Sequence, residues 1–332
     1  MKRRTLAALA APSLAVAALA VPALAPGARA QAPFPNKPLR LVVGFAAGGP
    51  TDVIARLIAA DMGGALGQPV VVENRTGANA LIATQFVARE VPDGHTILLA
   101  TLSHSVNAIL LPNGSYRPLE DFAPIGLVVL LPLIAVTGAG TPYRSIADVV
   151  AAAKATPGSV SYGSAGNGGS AHLAAALLAS RSGTAMTHVP FRGNGPALSE
   201  VMAGRVSFMF YPMVGVGEYV ARGQLRALGV STAARSPDYP DVPTLREAGF
   251  PGFEDYTQGL GLVAPARTPA AVVERLNAAM RASLARPETR ERTLALGGIV
   301  SPSSPSEYAD FLRADLDRWA RVIAAANITA GD

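Results

Sequence analysis

What most limits how this chain folds is an alternation. Short apolar, β-branched runs are followed by turns and then by segments with helical spacing. Residues 39–45 (LRLVVGF) read as a strand, 46–50 (AAGGP) as a turn, and 51–66 as a helix with Val53, Ile54, Leu57 and Ile58 on one face. Runs at 69–73 and 96–101 read as strands around a helix at 81–89. This βαβαβ pattern predicts an α/β fold, a mostly parallel sheet flanked by helices on both faces. A second such unit follows, with helices at 145–156, 170–182 and 196–204 between strand-like runs at 159–164, 187–191 and 206–211. The last stretch is mostly helical, at 270–285 and 305–326, with Trp319 as a packing anchor.

A long apolar stretch, 123–137 (APIGLVVLLPLIAVT), interrupted by Pro132, and a matching irregular stretch, 253–265 (FEDYTQGLGLVAP), join the units. Two crossings predict a discontinuous first domain, 33–130 with 262–332, and a second domain, 131–261, inserted between its halves. A chain of 332 residues is long enough for two domains with separate cores. No repeat of solenoid or propeller period is visible.

The first thirty residues have the layout of a secretory signal peptide. Lys2, Arg3 and Arg4 precede a mostly apolar run from Leu6 to Val21, which ends in small residues. Two small-x-small sites compete, Ala23-Leu24-Ala25 and Ala28-Arg29-Ala30. Pro26 makes the first a poor substrate, so cleavage is expected after Ala30 and the mature protein in the periplasm. The paired Arg3-Arg4 leaves a twin-arginine route open beside the general one. Removing residues 1–30 takes away four of the 28 basic residues and none of the 23 acidic ones, leaving 24 against 23. No basic run remains to track phosphates, which argues against nucleic-acid binding. No later apolar stretch reaches membrane-spanning length without Gly, Pro or charge, so a soluble exported product is expected.

Two glycine-rich turns carry the chemistry. The first, Phe45-Ala46-Ala47-Gly48-Gly49-Pro50-Thr51-Asp52, ends a strand and opens a helix. Glycine lets backbone approach a ligand, and Thr51 or Asp52 could cap a helix whose first amides suit an anion. A tight turn without ligand is the alternative. Asp52 and Arg56, spaced i,i+4, read as a structural pair. The second turn, Tyr162-Gly163-Ser164-Ala165-Gly166-Asn167-Gly168-Gly169-Ser170-Ala171-His172, has the same strand-to-helix setting and more polar donors. Facing each other beyond the strand ends, the two turns would grip a small anion. Four charge-assisted hydrogen bonds supply on the order of 8 kcal/mol before ordering costs, a micromolar affinity at best. Further wall is expected at 73–80, at Thr101-Leu102-Ser103 and at 191–195, where Arg192 suits a second carboxylate or is simply an exposed arginine.

Other chemistries find little support. Neither turn fits G-x-G-x-x-G, and no Walker lysine follows. Tyr162 and His172 stand where a nucleophile elbow around Ser164 or Ser170 needs glycine. There is no cysteine, and His95, His104, His172 and His188 form no metal-ligand spacing, so neither cofactor nor metal is expected. His188 reads as a core residue. His172 either contacts ligand or packs at the helix start.

In these segments the chain resembles the extracytoplasmic receptors of tripartite tricarboxylate transporters, the Bordetella uptake gene (Bug) family. The likeness runs through FAAGGPTDVIAR (45–56), VENRTGANALIATQFVA (72–88), PDGHTILLA (92–100), YGSAGNGGSAHLA (162–174), HVPFRGNGPAL (188–198), RSPDYPDVPTLREAGFPGFE (235–254) and APARTPAAVVERLNAAM (264–280). It covers nearly all of 34–326. The resemblance implies two α/β domains that close on a ligand like a flytrap, pinching its carboxylate with the help of ordered water. It implies contacts from Phe45, Ala46, Ala47, Gly48 and Thr51, then Asn79, Ala80 and Thr101. Opposite them it implies Ser164, Ala165, Gly166, Asn167, Ser170 and His172. Asn79-Ala80 replaces a typical Gly-Gly, and Ala108 replaces a proline. Tyr211 stands where aspartate is common and removes an anionic contact, and Gly259 stands near a frequent tryptophan and is expected to widen the cleft for a bulkier or aromatic acid.

The expected function is therefore a non-enzymatic periplasmic receptor, monomeric by default. It would capture a small carboxylate (a di- or tricarboxylate, amino acid or aromatic acid) and deliver it to membrane transporter subunits. A receptor signalling to a membrane sensor would need the same closed form. An exported hydrolase using Ser164 or Ser170 with His172 is the enzymatic rival.

Overall fold

The computed structural model describes residues 34–111, 116–213, 215–253 and 256–329; the expected leader, 1–30, lies outside the described residues. β1 (Leu39–Val43) leads into α1 (Pro50–Leu66), β2 (Val70–Asn74), α2 (Leu81–Ala88), β3 (Thr96–Ala100) and α3 (Leu102–Leu110). After β4 (Phe122–Gly138) come α4 (Ile146–Ala155), β5 (Ser161–Ser164), α5 (Ser170–Ser182), β6 (Thr187–Pro190) and α6 (Asn194–Met202). β7 (Phe208–Pro212), α7 (Gly217–Ala221) and β8 (Leu225–Val230) follow. The chain returns through β9 (Thr257–Pro265) and ends with α8 (Ala270–Ala285), α9 (Pro287–Ala295), β10 (Ile299–Val300) and α10 (Pro305–Ala325).

The strands form one continuous hydrogen-bonded path, β2-β1-β3-β9-β4-β7-β5-β6, with β8 and β10 paired to β4 off that path. Within each βαβαβ unit the pairing is parallel: Leu41 lies opposite Val72 and Ile97, and Tyr162 opposite His188 and Phe208. The sheet as a whole is mixed, because β4 and β9 run against their neighbours. β9 is antiparallel to β3 and β4, and β4 is antiparallel to β7, β8 and β10. Pro132 does not interrupt β4. It sits where the strand leaves β9 (Pro132 opposite Thr257) and takes up β7 (Leu133 opposite Pro212). A residue with no N–H costs least at such a change of partners, and the Pro132 carbonyl still accepts from the Met213 amide at 2.9 Å.

Four buried clusters lie against this path. One packs α1 and α8 on β1 and β9, through Ile54, Ile58, Met62, Leu276 and Met280. A second sets Ala83, Val87, Tyr308 and Leu312 against Val42, Leu98 and Val263. A third joins Leu198 and Val201 of α6 to Ile134, Met209 and Val230. The fourth holds Val149, Leu173, Leu177 and Phe210, and it also takes in Leu102 and Val106 of α3 and Trp319 and Ile323 of α10. The last helix therefore belongs to two clusters, its early turns to one unit and its late turns to the other. Among the described residues no helix is long and apolar enough to cross a membrane.

Candidate functional site

The sequence places glycine immediately before three helices, and the fold brings those three helix starts to one cavity. Gly49 caps α1, Gly169 caps α5 and Gly193 caps α6, each without a side-chain hydrogen bond to the first turn. The cavity, of about 270 Å³, is lined by Gly48, Gly49 and Thr51, by Gly169 and Ser170, and by Gly193, Asn194 and Gly195. Elsewhere α4 and α10 start in full capping boxes, from Ser145 to Asp148 and from Ser304 to Glu307. All three glycine-capped helices of the described residues open onto this cavity; Leu102 and Ser103, from the first turn of the Thr101-capped α3, also line it. A glycine cap costs a helix only a few tenths of a kcal/mol relative to the best caps and leaves the first amides free for an outside acceptor. The positive ends of three macrodipoles add to them.

The first turn is held from behind. Asp52 is buried, and its carboxylate accepts from the Gly48 amide, Arg56 Nε and Asn74 Nδ2, each at 2.9 Å. Asn74 Nδ2 also donates to the Phe45 carbonyl at 2.9 Å. Burial alone would raise the Asp52 carboxyl, but the bonds from Arg56, Gly48 and Asn74 outweigh it and hold the group below the usual carboxylate range. Asp52 thus spends its charge on the turn and on Arg56, the pairing that the i,i+4 spacing predicts.

A second cavity, of about 630 Å³, shares Phe45, Ala46, Ala165 and Gly193 with the first. It extends over Thr76–Ala80, Asn107, Gly166, Asn167 and Arg192. Ala78, Asn79 and Ala80 have φ of 45°, 49° and 67°, so this chain keeps left-handed backbone here without glycine. Such conformations cost a non-glycine residue on the order of 1 kcal/mol each and persist where neighbours impose them. Asn107 Nδ2 donates to the Asn79 carbonyl at 2.9 Å, and Ser103 Oγ to Asn79 Oδ1 at 2.8 Å. The Asn167 Oδ1 atom is buried without a partner among the described residues.

The expected contact residues divide accordingly. Phe45, Ala46, Ala47, Gly48, Thr51, Ala165 and Ser170 line the first cavity. Asn79, Ala80, Gly166, Asn167 and Arg192 line the second, where Arg192 is exposed. Thr101, Ser164 and His172 line neither. Thr101 caps α3, accepting from the Ser103 amide at 3.2 Å. His172 Nδ1 accepts from the Gly168 amide at 3.0 Å, and its ring stacks on His188 at 3.9 Å. Ser164 is fully buried. Its hydroxyl lies 2.7 Å from His188 Nε2 and closes a turn by donating to the Gly166 carbonyl and accepting from the Gly166 amide, both at 3.1 Å. The serine–histidine contact therefore stiffens the turn from below, and it uses His188 in place of His172.

Residues outside the sequence expectation also line the first cavity, Leu198, Ser199 and Met202 along one face of α6 with Tyr219 and Gln258, and beside them stands Tyr211, expected only as the loss of an anionic contact. Tyr211 and Gln258 end or begin strands at the partner change in β4, a position no local pattern marks. Burial, with a smaller contribution from Tyr219, pushes the Tyr211 phenol up to about 12, so it is a neutral hydrogen-bonding group. Gly259 corrects an expectation. A Cβ there would lie 2.5 Å from Phe311 Cζ, so the position faces α10 and does not widen the cleft. Strand alternation explains the difference, since it is Gln258 that points into the cavity.

The family model of the tripartite tricarboxylate transporter family receptor matches residues 54–328. Among solved structures, the periplasmic binding protein BugD is 34% identical, with a TM-score of 0.85 over 89% of this chain and 99% of its own. MatC (Rpa3494) from Rhodopseudomonas palustris, solved with bound malate, is 35% identical, with a TM-score of 0.83 over 87% of this chain and 100% of its own. Rpa4515 from R. palustris, solved with adipate, is 31% identical, with a TM-score of 0.85 over 89% and 99%. The fold is thus the two-domain α/β periplasmic-binding-protein fold, found here in solute receptors and not in enzymes. On this likeness, carried over most of its length, the chain belongs to the tripartite tricarboxylate transporter receptor family.

Proposed function

We propose that this protein is a periplasmic receptor that captures a small carboxylate and delivers it to a membrane transporter of the tripartite tricarboxylate type. The observation that carries the reading is the convergence of three glycine-capped helix starts on one cavity. Their free amides and dipoles complement one anionic group without a cationic side chain, and among the described residues none lines that cavity. The malate and adipate held by MatC and Rpa4515 support the same ligand class.

The mechanism is domain closure. Residues 33–130 with 262–332 form one lobe and 131–261 the other, joined through β4 and β9. The carboxylate bridges Gly48–Thr51 of the first lobe and Ser170 with Asn194 of the second, and this shifts an open–closed equilibrium toward the closed form. A signal peptide cleaved after Ala30 takes the protein to the periplasm.

The experiment is a thermal-shift screen of mono-, di- and tricarboxylates against the purified mature protein, followed by calorimetry on the best. A ligand at a hundred times its Kd stabilises the folded state by about 2.7 kcal/mol, a readable rise in Tm. A flat response to the whole panel, from protein stripped of any co-purified ligand, would overturn the reading.

A further inference from the structure

The first cavity has two unlike ends. One is the anion cradle at the starts of α1, α5 and α6. From the Gly193 cap, Leu198, Ser199 and Met202 lead along α6 toward Tyr211, Tyr219 and Gln258. Among the described residues, no Asp, Glu, Lys, Arg or His lines this cavity. Tyr211 is 6% exposed and Gln258 7%, yet neither the phenol hydroxyl nor the amide makes a hydrogen bond among the described residues. Their polar atoms are not sealed in the interior but open onto the cavity, so one wall presents two hydrogen-bonding groups, uncommitted within the protein, to a ligand.

The chemistry of that partner follows from what surrounds it. A second carboxylate at this end would lose its hydration against Leu198, Met202 and Tyr219 with no cation to compensate. Arg192 opens onto the other cavity and is exposed, where an ion pair is worth little. A hydroxyl or similar neutral group both donates and accepts. It can therefore satisfy the Tyr211 hydroxyl and either half of the Gln258 amide.

We propose that the cavity recognises a carboxylate with a single anionic group and an uncharged body, whose far end carries a hydroxyl or comparable neutral group held by Tyr211 and Gln258. Tyr211 and Gln258 are then specificity-determining residues. This rests on the carboxylate-receptor reading above and narrows it away from the dicarboxylates held by MatC and Rpa4515.

The test is calorimetry on the mature protein with two matched series: 4-hydroxybenzoate, benzoate and terephthalate, then 6-hydroxyhexanoate, hexanoate and adipate. In at least one series the hydroxy acid is expected to bind about tenfold more tightly than the diacid. Tyr211→Phe and Gln258→Leu should each weaken the hydroxy acid by about fivefold relative to the acid lacking the hydroxyl, the loss of one neutral hydrogen bond. Retained binding of that plain acid also shows that each variant keeps its cradle. Tighter binding of the diacid in both series, or wild-type hydroxy-acid affinity in both variants, would overturn the inference and leave the receptor reading standing. So would binding of malate or citrate with no response to either series. Absence of binding by every mono-, di- and tricarboxylate would remove the receptor reading as well.

Discussion

The backbone amide of Gly48 donates to the Asp52 carboxylate at 2.9 Å, and this bond holds a left-handed glycine, φ 78°, in the mouth of α1. A Cβ on Gly48 would meet nothing within 4 Å, so backbone conformation, not space, demands glycine there. The shape of the cradle therefore depends on a buried acid that does not itself line it.

Asp52→Asn is expected to lower stability at neutral pH by about 2 kcal/mol, since the bonds from Arg56 and Gly48 lose their charge. The Asp52 carboxyl is held below its ordinary value in the folded state. Its contribution is thus complete above the unfolded value, about 3.9, and is lost as the pH falls through the folded value. Thermal melts across the acid range should show wild type losing its advantage over the variant below about pH 4. Parallel curves would place the stabilisation elsewhere.

Gly49→Asp separates stability from binding. The N-cap has φ −77° and ψ 167°, extended backbone that any residue adopts, and a Cβ there comes 3.3 Å from the Ala46 carbonyl oxygen, a tight but adjustable contact. Aspartate would cap α1 and gain a few tenths of a kcal/mol. Its carboxylate would occupy the first-turn amides and repel the ligand's anion. We expect Tm unchanged or slightly raised and affinity for a carboxylate reduced by about tenfold or more. Calorimetry and melts on one preparation read both quantities, and undiminished affinity would show that the α1 start is not part of the cradle.

Much of this architecture is legible in the sequence because it is local. The expected helices at 170–182 and 270–285 match α5 and α8, and both glycine-rich turns lie at strand-to-helix junctions, where period and punctuation agree. What was not legible depends on partners far along the chain. α3 (LSHSVNAIL) hides its helical stripe because Ser103, His104, Ser105 and Asn107 are buried polar residues. They bond to Asn79, to the Pro118 carbonyl and to Asp315. Pro132 looks like a strand break until the change from β9 to β7 is seen. Whether Gln258 or Gly259 faces the cavity turns on a one-residue register that a strand continuing as Gly259-Leu260-Gly261-Leu262 does not display.

Asp315 tests how that long-range wiring supports the site. Its carboxylate accepts from Ser105 Oγ at 3.0 Å, and from Arg318 Nη2 and Trp319 Nε1 at 2.8 Å, so it ties α10 to the helix whose Ser103 and Asn107 face the cavities. Burial outweighs these bonds and raises its carboxyl above the usual value. The folded state then holds a proton that the unfolded chain has lost, so stability declines as pH rises from the unfolded value through the raised one. Asp315→Asn mimics the protonated form and keeps partners for Ser105 and Trp319. Its Tm relative to wild type should therefore climb as the pH is raised from about 4. Asp315→Ala leaves the Trp319 N–H and the Ser105 hydroxyl unpaired in the interior, at about 1–3 kcal/mol each. That variant should be less stable at every pH, and its slackened α3 should weaken carboxylate binding in calorimetry. A pH-independent difference between wild type and Asp315→Asn would show that the acid is ionised in the folded protein and that Arg318 offsets its burial.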